Sequence, residues 1–527
     1  MYNLGMKNIV KNKVKSLLDK YVYNILLTSI IFILFWVLGY SKTTLDFRLY
    51  INDEQVTTAN GIYTINNEQY IHIDDLTNIF KDNVYDDKIS GKIIITTYNN
   101  LIKLNKTDKQ YVIRENENIY FNLKEIMEYI GNDVAYAKDK IYVLPKDYIE
   151  GTTKNNRVEL YDKQTGNVIG YISKGQQVKV YIDINLKDDY KKIISVEANI
   201  QGKTHYGYML KSNVAYEYIT QQETGNNKKI VLVKVEDKLS TNTSKEKIDV
   251  FAVNMYRLSS VTTLTKLQNI DSTLNPKQII ATINNGQKAA NYDQDIVTGM
   301  LSSEANREQL IKQIVEATKK LAGVNLDFGN LRVTDKEKYT QFVKELAAML
   351  HKNGKMLVVN IPSTQYIDYE QIANASDYII MQPYYARTTS SKTSGPISSI
   401  KYVEECINDV LTKNINVNKV IVEVPAYTIL WTERRGTVIN AEIYNMKAML
   451  EYVKQNKLET KLEQASGQNY INFAKGITTY KMWLEDEYSV VKKSELINKY
   501  NLAGLAIYKS GMEEKDIYTS ISKCLNK

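Results

Sequence analysis

Short runs of Val, Ile and Leu alternate with helical stretches from Lys229 to Lys527, and this alternation restricts the fold more than any other feature of the chain. The candidate strands are Ile230 to Val235, Asp249 to Met255, Gln278 to Ile283, Gly323 to Phe328, Met356 to Ile361, Tyr378 to Gln382, Lys419 to Val424 and Ala503 to Tyr508. Helical periodicity fills intervals such as Arg307 to Lys320 and Lys336 to His351. Strands that alternate with helices read as parallel βαβ units, and eight of them predict a (β/α)8 TIM barrel over 229–527. In such a barrel the chemistry gathers at the C-terminal ends of the strands.

The fourth candidate strand carries the informative side chains. In Leu321 to Leu331, LAGVNLDFGNL, strand alternation sends Asn325, Asp327 and Gly329 to one face and Val324, Leu326 and Phe328 to the other. Of the first three only Asp327 is acidic. On the seventh strand the same alternation puts Ile421, Glu423 and Pro425 together on the interior face. Glu423 there reads as the partner of a cation such as Lys509, or as an acid brought into the cleft from a new position.

Upstream, composition separates further segments. Tyr21 to Tyr40 reads YVYNILLTSIIFILFWVLGY, uncharged and long enough as a helix to cross a hydrocarbon core of about 30 Å. Lys7, Lys11, Lys13, Lys15 and Lys20 precede it against the single Asp19, so a cytoplasmic tail (1–20) and a membrane helix (21–40) are expected, with everything after Ser41 outside the cell. That tail supplies about half of the net charge of +8, which argues against a basic nucleic-acid-binding face. Residues 41–150 contain a repeated strand-to-helix unit, Gln69 to Leu76 and again Asn118 to Ile126, and predict a small α+β domain. Residues 151–217 carry glycine-punctuated strands that predict a small barrel, with Tyr161, Tyr171, Tyr206 and Tyr208 as candidate groove residues. The polar stretch 218–228 is the expected linker. Cys406 and Cys524 are too few for a disulfide framework, and His72, His205 and His351 are too scattered for a metal site, so no cofactor or metal is expected.

Taken together, these residues resemble known families. Residues 41–150 resemble the domain named after the N-terminal part of copper amine oxidases, without implying copper, and 151–217 is similar to bacterial SH3-like domains. The barrel resembles family 18 of the glycoside hydrolases, in the branch of spore and cell-wall lytic N-acetylglucosaminidases. That resemblance is carried by the strand Gly323 to Gly329, by Asp377 to Tyr384 (DYIIMQPY), Gly395-Pro396, Lys419 to Tyr427 (KVIVEVPAY), Trp483 to Ser489 (WLEDEYS) and Asn501 to Tyr508 (NLAGLAIY).

The resemblance implies a substrate-assisted mechanism: a Glu protonates the glycosidic oxygen, the N-acetyl carbonyl attacks the anomeric carbon, and the preceding Asp orients the acetamide. Laid on this sequence, Asp327 keeps the orienting position, Asn325 replaces the first acid, and Gly329 stands where the proton donor belongs. Tyr384, Tyr427, Trp483 and Tyr508 are the implied sugar contacts, and Glu485 and Asp486 match a Trp-x-Glu-Asp motif. The expected function is therefore a membrane-anchored extracytoplasmic protein whose degenerate barrel binds peptidoglycan or a wall-remodelling partner without cutting. The alternatives are an active endo-N-acetylglucosaminidase using Glu423 as a relocated acid, and a scaffold in a sporulation or cell-wall complex.

Overall fold

The computed structural model describes residues 47–526, apart from 116–117, 138, 147, 182–191, 217–227, 242, 289–290, 362–365, 385 and 515–516. The segment 21–40 expected to cross the membrane lies outside these residues. Among the described residues no helix is long and apolar enough to cross a membrane. The chain divides into two compact units, Met1–Val84 with Asn105–Thr220, and Tyr85–Leu104 with Gln221–Lys527.

The first unit contains the repeat read from the sequence. Strand Glu68–His72 runs into helix Ile73–Ile79, and strand Asn118–Asn122 runs into helix Leu123–Ile130. The two strands pair antiparallel, Ile71 opposite Phe121. The last residue of each caps its helix: the His72 ring accepts from the Asp74 N–H and the Asn122 side chain accepts from the Glu125 N–H. His72 is thus a helix cap, which satisfies one of the N–H groups left open at a helix start.

A seven-stranded sheet, every pairing antiparallel, follows over Tyr148–Ala215. Its core is Val158, Leu160, Ile172, Val178, Val180, Val196 and Met209. Of the four tyrosines expected to line a groove, Tyr206 is instead buried in a cluster with Tyr50, Tyr142 and Tyr181. Tyr161 and Tyr208 stack on each other at 5.3 Å, and Tyr171 is exposed beneath the Arg157 guanidinium.

The second unit is a closed parallel barrel, with all eight strands where the sequence placed them. They are β1 (Ile230–Val235), β2 (Val250–Ser260), β3 (Ile279–Asn284), β4 (Gly323–Asp327), β5 (Met356–Ile361), β6 (Tyr378–Met381), β7 (Val420–Pro425) and β8 (Gly504–Tyr508). Neighbours pair in parallel around the ring, and β1 pairs with both β2 and β8, which closes it. Alternation then sorts each strand: Val231, Val233 and Val235 face the helices while Leu232 faces inward. Helix α1 (Glu304–Thr318) buries Leu310, Ile311 and Ile314, and α2 (Lys336–Lys352) buries Phe342, Leu346 and Leu350, at the spacing of one helical face. Phe328 stacks on Phe342 at 6.2 Å, so the outward face of the signature segment packs on α2. Gly323 opens β4 because an added Cβ would lie 2.2 Å from the Met356 carbonyl oxygen of β5.

Two additions decorate the barrel. Between β7 and β8 lies a five-stranded antiparallel sheet over Tyr427–Trp483, with helix Met446–Gln455 against it. The other addition comes from far upstream: Tyr85–Leu104, read from sequence as part of the first small domain, belongs with the barrel. Its Asp87 accepts from Arg307 Nη2 at 2.9 Å, and Arg307 Nε also donates to Glu345 at 3.1 Å, all three side chains buried between α1, α2 and this segment. Lys92 and Lys103 pair with Glu304 on the same helix wall.

Candidate functional site

The barrel interior is built in layers. Leu232, Ala252, Ile280, Val358, Ile380, Ile421 and Ala506 form an apolar floor. Two residues further along four of these strands the inward side chains become polar, Lys234, Thr282, Asn360 and Glu423, and Asn325 of β4 joins them, every one of them buried. Above them, at the C-terminal rim, stand Glu236, Asn284, Asp327 and Tyr508.

Glu423 is fully enclosed. Its Oε2 lies 2.9 Å from Lys234 Nζ, and its Oε1 accepts from Gln382 Nε2 at 3.0 Å and from the Tyr384 hydroxyl. The expected cation was Lys509. The structure corrects this to Lys234, which shares the barrel interior with Glu423, whereas Lys509 stands 3.9 Å from Asp237 on the outer rim. Burial alone would lower the Lys234 ammonium, but Glu423 and then Asp327 outweigh it and hold the group above its ordinary value. Glu423 is thus charge-compensated by Lys234 at Oε2 and holds two donors at Oε1, which is how a buried carboxylate is kept ionised.

Asp327 keeps part of its side chain open to the rim, with Lys234 Nζ at 3.8 Å. The neighbouring Asn325 amide donates instead to Thr282 Oγ1 at 3.1 Å. Across the rim, Glu236 accepts from Asn254 Nδ2 at 2.9 Å, and Asn254 Oδ1 accepts from Asn284 Nδ2 at 2.7 Å. Burial raises the Glu236 carboxyl above its ordinary range, and the negative charge of Asp327 adds to that against the opposing pull of Lys234 and Lys509.

At Gly329 the backbone is fixed from both sides by one residue. Its N–H donates to Asn285 Oδ1 at 2.9 Å, and its carbonyl accepts from Asn285 Nδ2 at 3.1 Å. A Cβ added here would lie 2.5 Å from Cδ2 of Tyr292. The space in which an acidic side chain would begin therefore holds a phenol ring, carried in by the small hairpin Gly286–Lys288 and Asn291–Tyr292.

Five of the residues singled out from sequence meet inside the barrel or at its mouth: Asn325, Asp327, Glu423, Tyr384 and Tyr508. Tyr384 is buried and stacks on Tyr508 at 5.8 Å, its hydroxyl turned to Glu423. Tyr427 and Trp483 instead pack in the inserted sheet against Ile397, Ile429 and Trp431, and the Trp483 indole donates to Glu463 at 2.6 Å. Glu485 is buried 2.5 Å from Lys493 and also bonds Gln468 and Ser489. Asp486 caps helix Glu487–Lys499. Both of these acids are structural. Sequence reading missed Lys234, Glu236 and Tyr292. The signal for the first two was present, a lysine and a glutamate two apart at the end of an apolar strand, LVKVE. Among the described residues there is no group of His, Cys, Asp and Glu arranged to hold a metal ion.

The family profile "Glycosyl hydrolases family 18" matches residues 258–513. An uncharacterized glycosylase of Bacillus subtilis, YvbX, is 24% identical over 245 residues, covering 44% of this chain and 70% of that protein. The cortical fragment-lytic enzyme of Bacillus subtilis is 23% identical over 268 residues, 47% of this chain and 60% of that protein. Among solved structures, a chitinase from Chromobacterium violaceum superposes with a TM-score of 0.50 at 19% identity, over 57% of this chain and 99% of that one. The spore cortex-lytic enzyme SleL of Bacillus megaterium superposes with a TM-score of 0.50 at 17% identity, over 62% of this chain and 77% of that one. At these identities the structural likeness is one of fold.

Proposed function

Because the barrel is a glycoside hydrolase family 18 domain, we propose that it binds cell-wall glycan without hydrolysing it, held outside the cell by a membrane helix at 21–40. The observation that carries this reading is the Tyr292 ring in the place where the acid's side chain would leave the backbone at Gly329. Substrate-assisted hydrolysis needs a proton for the departing oxygen, and a positioned general acid contributes roughly 10² to 10⁴-fold in rate. Gly329 supplies no proton, and Glu423, the candidate replacement, is bonded to Lys234, Gln382 and Tyr384 beneath the rim. Asp327 and Tyr508 remain at the mouth to meet a sugar. Cell-wall glycan is the ligand class we favour because two of the similar proteins are named for lysis of cortical fragments and of the spore cortex. On this reading the α+β and SH3-like segments between membrane and barrel act as spacer and auxiliary wall contacts.

The test is cosedimentation of the soluble portion, residues 47–527, with purified peptidoglycan sacculi, run beside an assay for new reducing ends. Binding without release is the expected result. Release of N-acetylglucosamine-terminated fragments, abolished by Asp327→Ala, would overturn the non-catalytic reading. Failure to cosediment, with a protein partner still captured, would leave the barrel as a scaffold.

A further inference from the structure

Independently of what the barrel binds, we propose that His351 is a pH-operated catch: in its doubly protonated form it holds the tip of the strap Tyr85–Leu104 against the foot of the barrel, and on losing one proton it lets that tip go. The strap contains a hairpin, Lys92–Thr96 with Leu101–Asn105, and Tyr98 stands at its tip. His351 lies in the last turn of α2, its side chain 2% exposed. Its Nδ1 is 2.8 Å from the Tyr98 carbonyl oxygen and its Nε2 2.9 Å from Asp377 Oδ2. Both partners are oxygens that accept: a backbone carbonyl, and a carboxylate that also takes the Leu357 N–H at 2.7 Å. A neutral imidazole has one N–H to give, so only the imidazolium satisfies both partners.

Two further features of the place favour the charged ring. The C-terminal end of a helix attracts a cation. The Tyr98 ring lies over the imidazole, centroids 4.1 Å apart and 14° from parallel, where a cation gains from the aromatic face. Asp377 just before β6, Lys419 just before β7 and Tyr98 of the strap are the groups that act on the ring. Burial lowers its pKa and the Lys419 ammonium adds to that, but Asp377 and the Tyr98 carbonyl outweigh them. Lys419 itself is held on the carbonyls of Ala373, Asn374 and Ser376. When one proton leaves, the other stays on Nε2, because the bond to a carboxylate is the stronger. Nδ1 then turns a lone pair on the Tyr98 carbonyl, and the stacked ring loses the charge beside it. The body of the strap stays docked, since Asp87 on Arg307 and both Lys92 and Lys103 on Glu304 keep their charges through this range. Opening is confined to the tip and has one sign: closed in acid, open as the pH rises through the His351 value.

The experiment takes the full chain, in mild detergent, from mildly acidic to mildly alkaline pH with two readouts. The chain has three histidines, so carbon-13 labelling of histidine follows each ring by NMR, and His351→Gln identifies the signal of His351. A spin label at Asn99→Cys, in a Cys406→Ser background, reports the mobility of the tip. The mobile fraction should rise with the same midpoint as the His351 signal, the open-to-closed ratio changing about tenfold, as for the loss of one hydrogen bond to a charged group. Asp377→Asn should move both midpoints down together, and in His351→Gln the tip should be mobile throughout, without pH dependence. Tip mobility that stays constant across the range would overturn the proposal, as would a change whose midpoint departs from that of His351 or one that persists in His351→Gln. The first two of these are read with His351 and Asp377 in place, so they decide the matter even where a substitution at either residue prevents folding.

Discussion

Replacing Gly329 with alanine measures directly whether Tyr292 excludes a side chain at this position. Gly329 is not among the residues with positive φ, so alanine meets no backbone penalty there. Its reduced freedom in the unfolded chain would by itself stabilise the fold by about 0.4–1 kcal/mol. Against this, the new methyl would stand 2.5 Å from the Tyr292 ring, far inside van der Waals contact. Overpacking of that kind costs about 1–3 kcal/mol, because Asn285 pins the backbone on both sides and prevents retreat. The net expectation is a loss of about 1–2 kcal/mol in the native background and a small gain in a Tyr292→Ala background. Thermal melting of residues 47–527 reads both, at about 2 °C or less per kcal/mol for a domain larger than 250 residues. A Gly329→Ala protein as stable as its parent would refute the argument, since it would mean that Tyr292 does not fill that space. If the coupling is found, Gly329→Glu with Tyr292→Ala is the variant in which hydrolysis should begin to appear.

Two further outcomes follow from the buried charges. Glu423→Gln and Lys234→Met should each destabilise the barrel by about 3–5 kcal/mol, while the double apolar replacement Lys234→Met with Glu423→Leu should recover most of that loss. A Glu423→Gln protein of unchanged stability would show that this carboxylate is not held as described. His351 places Nε2 2.9 Å from Asp377 and Nδ1 2.8 Å from the Tyr98 carbonyl. Burial would lower its pKa, but the bond to Asp377 outweighs this and holds it above the ordinary histidine value. Its contribution is therefore complete below about pH 6.5, the unfolded value, and is lost as the pH rises through the raised one. Melting temperature should fall over that interval in the native protein and less so in His351→Gln, whereas a rise would contradict the assignment.

The eight strands were legible because a parallel barrel buries both faces of each strand, leaving continuous apolar runs that stand out in any window. The shared face of Asn325, Asp327 and Gly329 was legible because strand alternation fixes it, while the want of an acid at Gly329 is what the family resemblance implies. Lys234 stood out in LVKVE, but its role could not be read there, because its partner Glu423 is on β7, far away in sequence. Tyr292 was missed for a different reason: it arrives on a two-strand hairpin after β3 whose direction depends on tertiary packing. The five-stranded sheet between β7 and β8 was not resolved into strands from the sequence. Its strands are amphipathic and antiparallel, so they lack the runs that marked the barrel.

The upstream segment Tyr85–Leu104 has a practical consequence. The chain contributes to the barrel, leaves it for more than a hundred residues, and returns at Gln221. A fragment cut at the apparent linker would discard Asp87, Lys92 and Lys103, leaving the Arg307 guanidinium of α1 with Glu345 alone and the Glu304 carboxylate without its two lysines. Expression of such a fragment would yield an insoluble or loosened product, and its silence in a binding assay would report the cut rather than the protein.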